Sequence, residues 1–104
     1  MERDELLRRV KSILQGAFGE RLRGVVLYGS EARGDAQPDS DIDLLVLLAG
    51  PVNSHDDSWA CIRSLYPFVL ELGRPIHSEP VDIRVYEAAE FPLYRNAKQE
   101  GILA

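Results

Sequence analysis

The segment from Val25 to Leu48, with the sequence VVLYGSEARGDAQPDSDIDLLVLL, constrains the fold of this chain most strongly. It predicts an apolar strand, a glycine-serine turn, a short polar stretch and a second apolar strand that begins with Asp41 and Asp43. Because successive side chains of a strand point to opposite faces, these two carboxylates project to the same side, roughly 6.6–6.8 Å apart along the backbone. Carboxylates that close repel each other, by about 4 kcal/mol at 4 Å and an effective dielectric constant near 20. The pair therefore predicts a bound cation, although such pairs also cap turns and occur on exposed strand edges.

The turn formed by Gly29 and Ser30 is the second half of the pattern. At the end of a strand and the start of a helix, it offers backbone N–H groups and a hydroxyl to an anion. A site for a divalent cation beside a site for a phosphate predicts phosphoryl or nucleotidyl transfer. The simpler alternative is that Ser30 only caps the following helix.

Elements of both kinds follow one another along the rest of the chain. Hydrophobic spacing and turn residues predict the order helix, strand, short helix, strand, helix, strand, helix. The predicted longer elements are a helix over Glu2–Phe18, strands over Val25–Tyr28, Asp41–Leu48 and Val81–Tyr86, a helix from Ser54 to before Gly73, and a helix over Phe91–Glu100. This order predicts an α+β domain over residues 1–104, with a mixed sheet of about three to five strands and helices packed on it.

Composition limits the partners of this domain. The net charge of −5 and the absence of a basic stripe disfavour nucleic acid, but they leave a metal-bound nucleotide open. The longest apolar run, Leu44–Ala49, is too short to span a membrane, and the charged N-terminus does not resemble a secretory signal. The single cysteine, Cys61, fits a reducing cytoplasm and is expected to be a buried small hydrophobe.

The helix after Ser54 is expected to contribute to the core. Trp59, Ile62, Leu65, Val69 and Leu72 are predicted on its inner face, and Phe68 is also assigned to the core. His55 and His77 are predicted to be solvated loop residues, because neither has a carboxylate or cysteine at zinc-binding spacing.

The chain resembles a known superfamily at these residues. Gly29-Ser30, ten intervening residues and then Asp41-Ile42-Asp43 resemble the signature of polymerase-beta-type nucleotidyltransferases. The fuller string GSEARGDAQPDSDIDLLV is similar to that of the single-domain bacterial members, the minimal nucleotidyltransferase family, and the resemblance extends from about Val25 to the end. It implies the polymerase-beta-like nucleotidyltransferase fold.

The resemblance also implies three catalytic, metal-binding carboxylates. Asp82, in PVDIRVY, matches the third acid of the family in order and pattern, although from the residues alone it could be an exposed strand residue paired with Arg84. Asp41 and Asp43 would hold two Mg²⁺ ions, and Asp82 would hold the one that activates the acceptor hydroxyl.

The same resemblance places the nucleotide on the glycine-serine turn. Ser30 would contact the β- and γ-phosphates of ATP, and Gly29 would let the backbone approach them. Arg33, one helical turn later, could clamp a phosphate, the alternative being a surface ion pair with Asp35 or Glu31. Glu31 departs from the family, where a basic or aromatic residue is common, and an acid there predicts weaker triphosphate binding unless it points to solvent.

The acceptor is also implied by the resemblance. Members of this size are commonly paired with a small helical RNase toxin of the HEPN class, which they neutralise in part by transferring AMP to a tyrosine. The chain is therefore expected to act as the antitoxin of a hetero-oligomer in the cytoplasm. Two alternatives stay open: transfer to a small molecule such as an aminoglycoside, and a catalytically weak binding module that neutralises its partner by occlusion.

Overall fold

The computed structural model describes residues 1–104, and its elements follow the predicted alternation with two additions. In chain order they are α1 (Arg3–Phe18), β1 (Leu22–Tyr28), α2 (Ser30–Arg33), β2 (Ile42–Leu48), α3 (Ser54–Leu72), β3 (Ile76–Asp82), α4 (Ile83–Ala88), α5 (Pro92–Glu100) and β4 (Ile102–Leu103). The additions are α4 and β4. No helix has the length and apolar character needed to cross a membrane.

The sheet has four strands in the order β3-β2-β1-β4. β1 and β2 are antiparallel, and Tyr28 lies opposite Asp43. β2 and β3 are parallel, joined by α3 as the crossover, and Asp43 lies beside His77. The predicted mixed sheet with packed helices is therefore confirmed.

The larger core lies between one face of the sheet and helices α1 and α3. Alternation along β2 sends Leu44, Val46 and Leu48 into this layer, where all three are fully buried. The helices contribute side chains at three- and four-residue spacing, as expected for amphipathic helices: Leu6, Leu7, Val10 and Leu14 from α1, and Cys61, Leu65 and Phe68 from α3.

The smaller core lies on the opposite face of the sheet, under α4 and α5. It comprises six buried residues: Val26, Leu45, Leu47, Val81, Tyr86 and Ala97. Since Asp43 alternates in phase with Leu45 and Leu47, its side chain belongs to this face. We call this surface of the sheet the acid face, defined by Asp43, Glu79 and the strand residues of this core, Val26, Leu45, Leu47 and Val81.

The third strand differs from its prediction. It spans Ile76–Asp82 rather than Val81–Tyr86, and residues 83–88 are helical. Pro80 reads as a strand breaker in the sequence, but β3 is an edge strand, where a missing N–H is tolerated because one side pairs with no neighbour. The side chain of Asp82 then caps α4 by accepting the Arg84 N–H at 2.8 Å.

The buried face of α3 also differs from the prediction. Cys61, Leu65 and Phe68 are buried, whereas Trp59 and Ile62 are about half exposed, at 49% and 51%. The sequence of α3 carries two apolar stripes, and hydrophobic spacing does not choose between them. The stripe that is buried lies on the side of α3 where Asp57 forms a partly buried ion pair.

That ion pair joins Asp57, at the start of α3, to Arg21 before β1. Arg21 donates from Nη1 and Nη2 to the two carboxylate oxygens at 2.9 and 3.0 Å. The Asn53 N–H also donates to Asp57, at 3.0 Å, while the Asn53 side chain caps α3. These contacts turn Asp57 inward and hold the pKa of its carboxyl below the ordinary value, chiefly through the Arg21 hydrogen bonds.

Asp57→Asn is expected to lower the free energy of unfolding by about 2 kcal/mol at pH 7, since Arg21 loses its charged partner. Because the folded-state pKa is lowered, the stabilisation is complete above the ordinary aspartate pKa of 3.8 and is lost as the pH falls through the folded-state pKa. Urea unfolding of both proteins from pH 2 to pH 7 measures this. The control is Glu71→Gln, which changes an exposed pair with Arg9 and should have a smaller effect. A deficit of constant size at every pH would contradict the assignment.

Candidate active site

The turn after β1 touches the first acid of β2. Gly29 has φ +74°, a conformation that side chains rarely adopt, and a Cβ at this position would lie 2.7 Å from Asp43 Oδ2. Only glycine therefore lets the turn approach the carboxylate this closely. Ser30 is the first residue of α2 rather than its cap: Gly29 is the N-cap, and no side chain caps this helix.

Asp43 is the acid at the centre of this group. Its side chain is 30% exposed, and Oδ1 lies 3.7 Å from His77 Nδ1. The prediction that His77 lies in a loop was wrong, because His77 belongs to β3 and pairs in register with Asp43, but its side chain is exposed to solvent as predicted. No lysine or arginine lies within ion-pair distance of this carboxylate.

Glu79 is the acid that sequence reasoning missed. It lies on β3 two residues after His77, so that both side chains point to the acid face, and its register partner is Leu45. Glu79 has no ion-pair partner, in contrast to the arginine-paired acids Glu31, Asp57, Glu71 and Asp82. The alternation His77, Glu79, Val81 is the signal that would have found it, had β3 been assigned four or five residues earlier.

Tyr28 adds a hydroxyl beside these acids. Burial raises its pKa to about 12, and the charges of Asp43 and Glu79 act in the same direction. The hydroxyl therefore stays protonated at neutral pH and is available as a hydrogen-bond donor, not as a base.

The structure does not bring Asp82 to this group. Its register partner is Leu48, at the opposite end of β2 from Asp43, and alternation points it to the other face of the sheet from Glu79. There it lies against Gly50 and accepts hydrogen bonds from Arg84, which hold the pKa of its carboxyl below the ordinary value. The expectation that Asp82 lies close to Asp41 and Asp43 is thus corrected. Asp82 matches the family's third acid in sequence, but β3 begins five residues before its predicted position, so Asp82 lies at the end of the strand.

The remaining predicted residues lie around the turn. Asp41 is exposed and immediately precedes β2, two residues from Asp43. Arg33 is exposed and pairs with Asp35 at 3.3 Å, which is the surface alternative considered for it. Glu31 does not point to solvent, because it forms an ion pair with Arg74 at 2.8 Å.

The donor set of the acid face fits a hard divalent cation. Asp43 and Glu79 present carboxylate oxygens without a lysine or arginine partner, and Asp41 lies at the same end of β2. No three acidic, histidine or cysteine side chains lie close enough together to enclose a metal by themselves. Mg²⁺ is commonly bound through one or two carboxylates plus substrate phosphates, so this arrangement meets its requirement.

Gly29→Ala and Gly34→Ala compare the two glycines of this segment that have positive φ, at +74° and +83°. Gly34 lies in the left-handed region and a Cβ there would meet nothing within 4 Å, so Gly34→Ala should cost about 1 kcal/mol. Gly29, with ψ −153°, lies in a region that almost only glycine adopts, and its methyl group would also push the Asp43 carboxylate aside. Gly29→Ala should therefore cost about 1–3 kcal/mol more than Gly34→Ala. Urea unfolding measures both, and equal losses would contradict this description of the turn.

Comparison with known proteins identifies the family. The family model described as a nucleotidyltransferase domain matches residues 4–104. A relative from Methanocaldococcus jannaschii, provisionally named a protein adenylyltransferase, is 25% identical over 101 residues, covering 97% of this chain and 96% of its own.

Solved structures share the fold. A toxin–antitoxin structure with AMP-PNP aligns with a TM-score of 0.64 at 19% identity, covering 91% of this chain and 69% of the other. Spectinomycin adenyltransferase from Enterococcus faecialis, with ATP and spectinomycin, aligns with a TM-score of 0.63 at 20% identity, covering 98% of this chain and 48% of its own. Because the family match spans nearly the whole sequence, the chain belongs to the nucleotidyltransferase domain family and is an enzyme that transfers nucleotidyl groups.

Proposed function

We propose that this enzyme transfers AMP from ATP, with Mg²⁺, to a tyrosine hydroxyl of a partner protein. The contact between the Gly29 turn and Asp43 is the observation that supports binding of a metal-bound nucleotide. It joins a turn suited to phosphate with a carboxylate that has no lysine or arginine partner.

The triphosphate would lie along the Gly29-Ser30 turn. The backbone N–H groups of this turn would donate to phosphate oxygens, and the Ser30 hydroxyl would donate a hydrogen bond to the β- or γ-phosphate. Arg33 is exposed and held only by surface pairs, so it is free to turn toward a phosphate. The Tyr28 hydroxyl, kept protonated by its raised pKa, is a further donor on this side.

The cation would be held by Asp43 together with Glu79, and phosphate oxygens of ATP would complete its coordination; Asp41, at the same end of β2, would lie near the bound phosphates. When bound, the metal would neutralise phosphate charge and lower the pKa of the acceptor hydroxyl. Glu79 takes the place expected of Asp82, since it is the acid of β3 on the face of Asp43. The role that the family assigns to its third acid is therefore proposed for Glu79 in this chain.

The transfer itself is a displacement at the α-phosphorus. The acceptor oxygen forms a bond to this phosphorus, the bond to the bridging oxygen of the β-phosphate breaks, and pyrophosphate leaves. The hydroxyl proton passes to solvent or to a carboxylate of the acid face. The residues act mainly by holding the acceptor and the phosphate in line, which is the larger part of catalysis in phosphoryl transfer.

Asp43→Asn and Glu79→Gln are each expected to reduce AMP transfer by at least about a hundredfold, because each removes a ligand of the cation that would neutralise the reacting phosphate. Asp43→Asn should leave the stability of the unliganded protein unchanged or raised, since it relieves repulsion between acids. Transfer is measured with labelled ATP, and ATP affinity by calorimetry with Mg²⁺ and with EDTA.

The matched control is Asp82→Asn, which removes the other carboxylate of β3, the one outside the acid face. It should keep its transfer rate within a small factor: the asparagine Oδ1 can still accept the Arg84 N–H that caps α4, and only the ion pair with the Arg84 guanidinium is lost. Full activity in Glu79→Gln together with loss in Asp82→Asn would reverse the assignment. Equal ATP affinity in Mg²⁺ and in EDTA would remove the cation from the proposal.

Two similarities support a protein acceptor. The curated relative that this chain covers almost completely is named for protein adenylyl transfer, and one similar structure is a toxin–antitoxin complex with an ATP analogue. We infer a helical toxin of the HEPN class as the partner in a hetero-oligomer. The second candidate, transfer to a small molecule, is favoured by the similarity to spectinomycin adenyltransferase.

Intact-mass spectrometry tests the acceptor. With Mg·ATP, the chain should add about 329 Da per AMP to a HEPN-class toxin supplied as the partner, and Glu79→Gln should add nothing. Tandem spectra should place the adduct on a tyrosine. Parallel reactions with spectinomycin measure the second candidate. A partner that stays unmodified while its toxicity is suppressed would contradict transfer and favour neutralisation by occlusion.

A further inference from the structure

Arg74 connects the two halves of the nucleotidyltransferase signature. It follows α3 and precedes β3, and its side chain is only 17% exposed. Nη1 donates to Glu31 Oε1 at 2.8 Å, and Nε donates to the Ser40 carbonyl at 3.0 Å. Glu31 is the residue after Ser30, and Ser40 is the residue before Asp41. One guanidinium thus contacts both the start of α2, next to the Gly29-Ser30 turn, and the residue before Asp41.

The anchor of this side chain is rigid. The Pro75 carbonyl accepts the Ile42 N–H at 2.9 Å, so the backbone next to Arg74 is attached to the first residue of β2. The planar guanidinium keeps its two donors at a fixed separation, which a lysine cannot do. The distance between the first turn of α2 and the loop before β2 is therefore set by a single planar group.

This arrangement is not explained by stability alone. Arg74 Nη2 is buried without a hydrogen-bond partner, and a buried donor without a partner costs stability. The pair also neutralises Glu31, the acid that would otherwise face the phosphates from the position next to Ser30. The contacts of Arg74 and its neutralisation of Glu31 both act on the Gly29-Ser30 turn.

We propose that Arg74 is a positioning residue for nucleotidyl transfer: by holding Glu31 and the Ser40 carbonyl together, it sets Ser30 and Gly29 relative to Asp43. The proposal rests on the proposed binding of ATP phosphates at the Gly29-Ser30 turn. It predicts that loss of the guanidinium loosens both segments and misplaces the nucleotide without removing any group that touches it.

The test compares Arg74→Met with Arg9→Met. Arg9 makes a similar two-point pair with Glu71, between α1 and α3 and away from the acid face. In Arg74→Met, amide exchange over residues 29–33 and 40–43 should become at least about tenfold faster. The affinity for Mg·ATP, measured by calorimetry, should weaken about tenfold. Arg9→Met should change neither quantity.

Two further variants separate positioning from charge neutralisation. Arg74→Lys keeps the charge but reaches one partner at a time, so its exchange and affinity should lie between those of wild type and Arg74→Met; it also replaces Arg74→Met in the test should that variant fail to fold. Glu31→Gln combined with Arg74→Met removes the unneutralised acid and should bind ATP as weakly as Arg74→Met.

Recovery of ATP affinity in the double variant would overturn the proposal, because Arg74 would then act only by neutralising Glu31. Unchanged amide exchange in Arg74→Met would also overturn it. Failure of the wild-type protein to bind Mg·ATP would instead refute the proposed function. In that case, faster exchange in Arg74→Met would show that Arg74 holds the two segments together but positions no nucleotide. The positioning role would then be refuted as well.

Discussion

The close approach of the Gly29 backbone to the Asp43 carboxylate is the contact on which the site depends. It requires a residue without a side chain at positive φ, and it requires an aspartate at the start of a strand paired with β1. Repulsion between unneutralised acids opposes the arrangement, and the fold supplies no lysine or arginine to relieve it. An arriving cation and phosphate would supply opposite charges at adjacent positions, which is why this contact favours a metal-bound nucleotide.

The central strand explains how so small a domain supports this site. β2 is buried on both faces from Leu44 to Leu48, so that two helical layers hold it rigidly, while its first residues reach the edge of the smaller core. Asp43 is thereby attached to the best-packed strand of the protein and still stays 30% exposed. Arg74, anchored between α3 and β3, holds the adjoining turn and loop from the other side.

The sequence predicted the features that depend on local pattern. The motif from Gly29 to Asp43 and the apolar β2 are read directly from residue types, and the mixed sheet follows from the order of the elements. The location of β3 could not be read in this way, because Pro80 resembles a strand break unless the strand is known to lie at an edge. Because of this displacement, Asp82 lies at the far end of β2 from Asp43, and Glu79 lies on the face of Asp43. The rotation of α3 was equally hidden, since the buried one of its two apolar stripes lies on the side of the Asp57–Arg21 pair, which joins residues 36 positions apart.

The central claim is that the acid face binds the metal-bound nucleotide. A crystal structure with Mn²⁺ and AMP-PNP tests this most directly, because the anomalous signal of manganese locates the cation independently of the protein atoms. The account predicts a manganese peak at coordination distance, about 2.0–2.2 Å, from carboxylate oxygens of Asp43 and Glu79, with the phosphates along Gly29 and Ser30. A peak beside Asp82, or nucleotide phosphates bound away from the Gly29 turn, would contradict it.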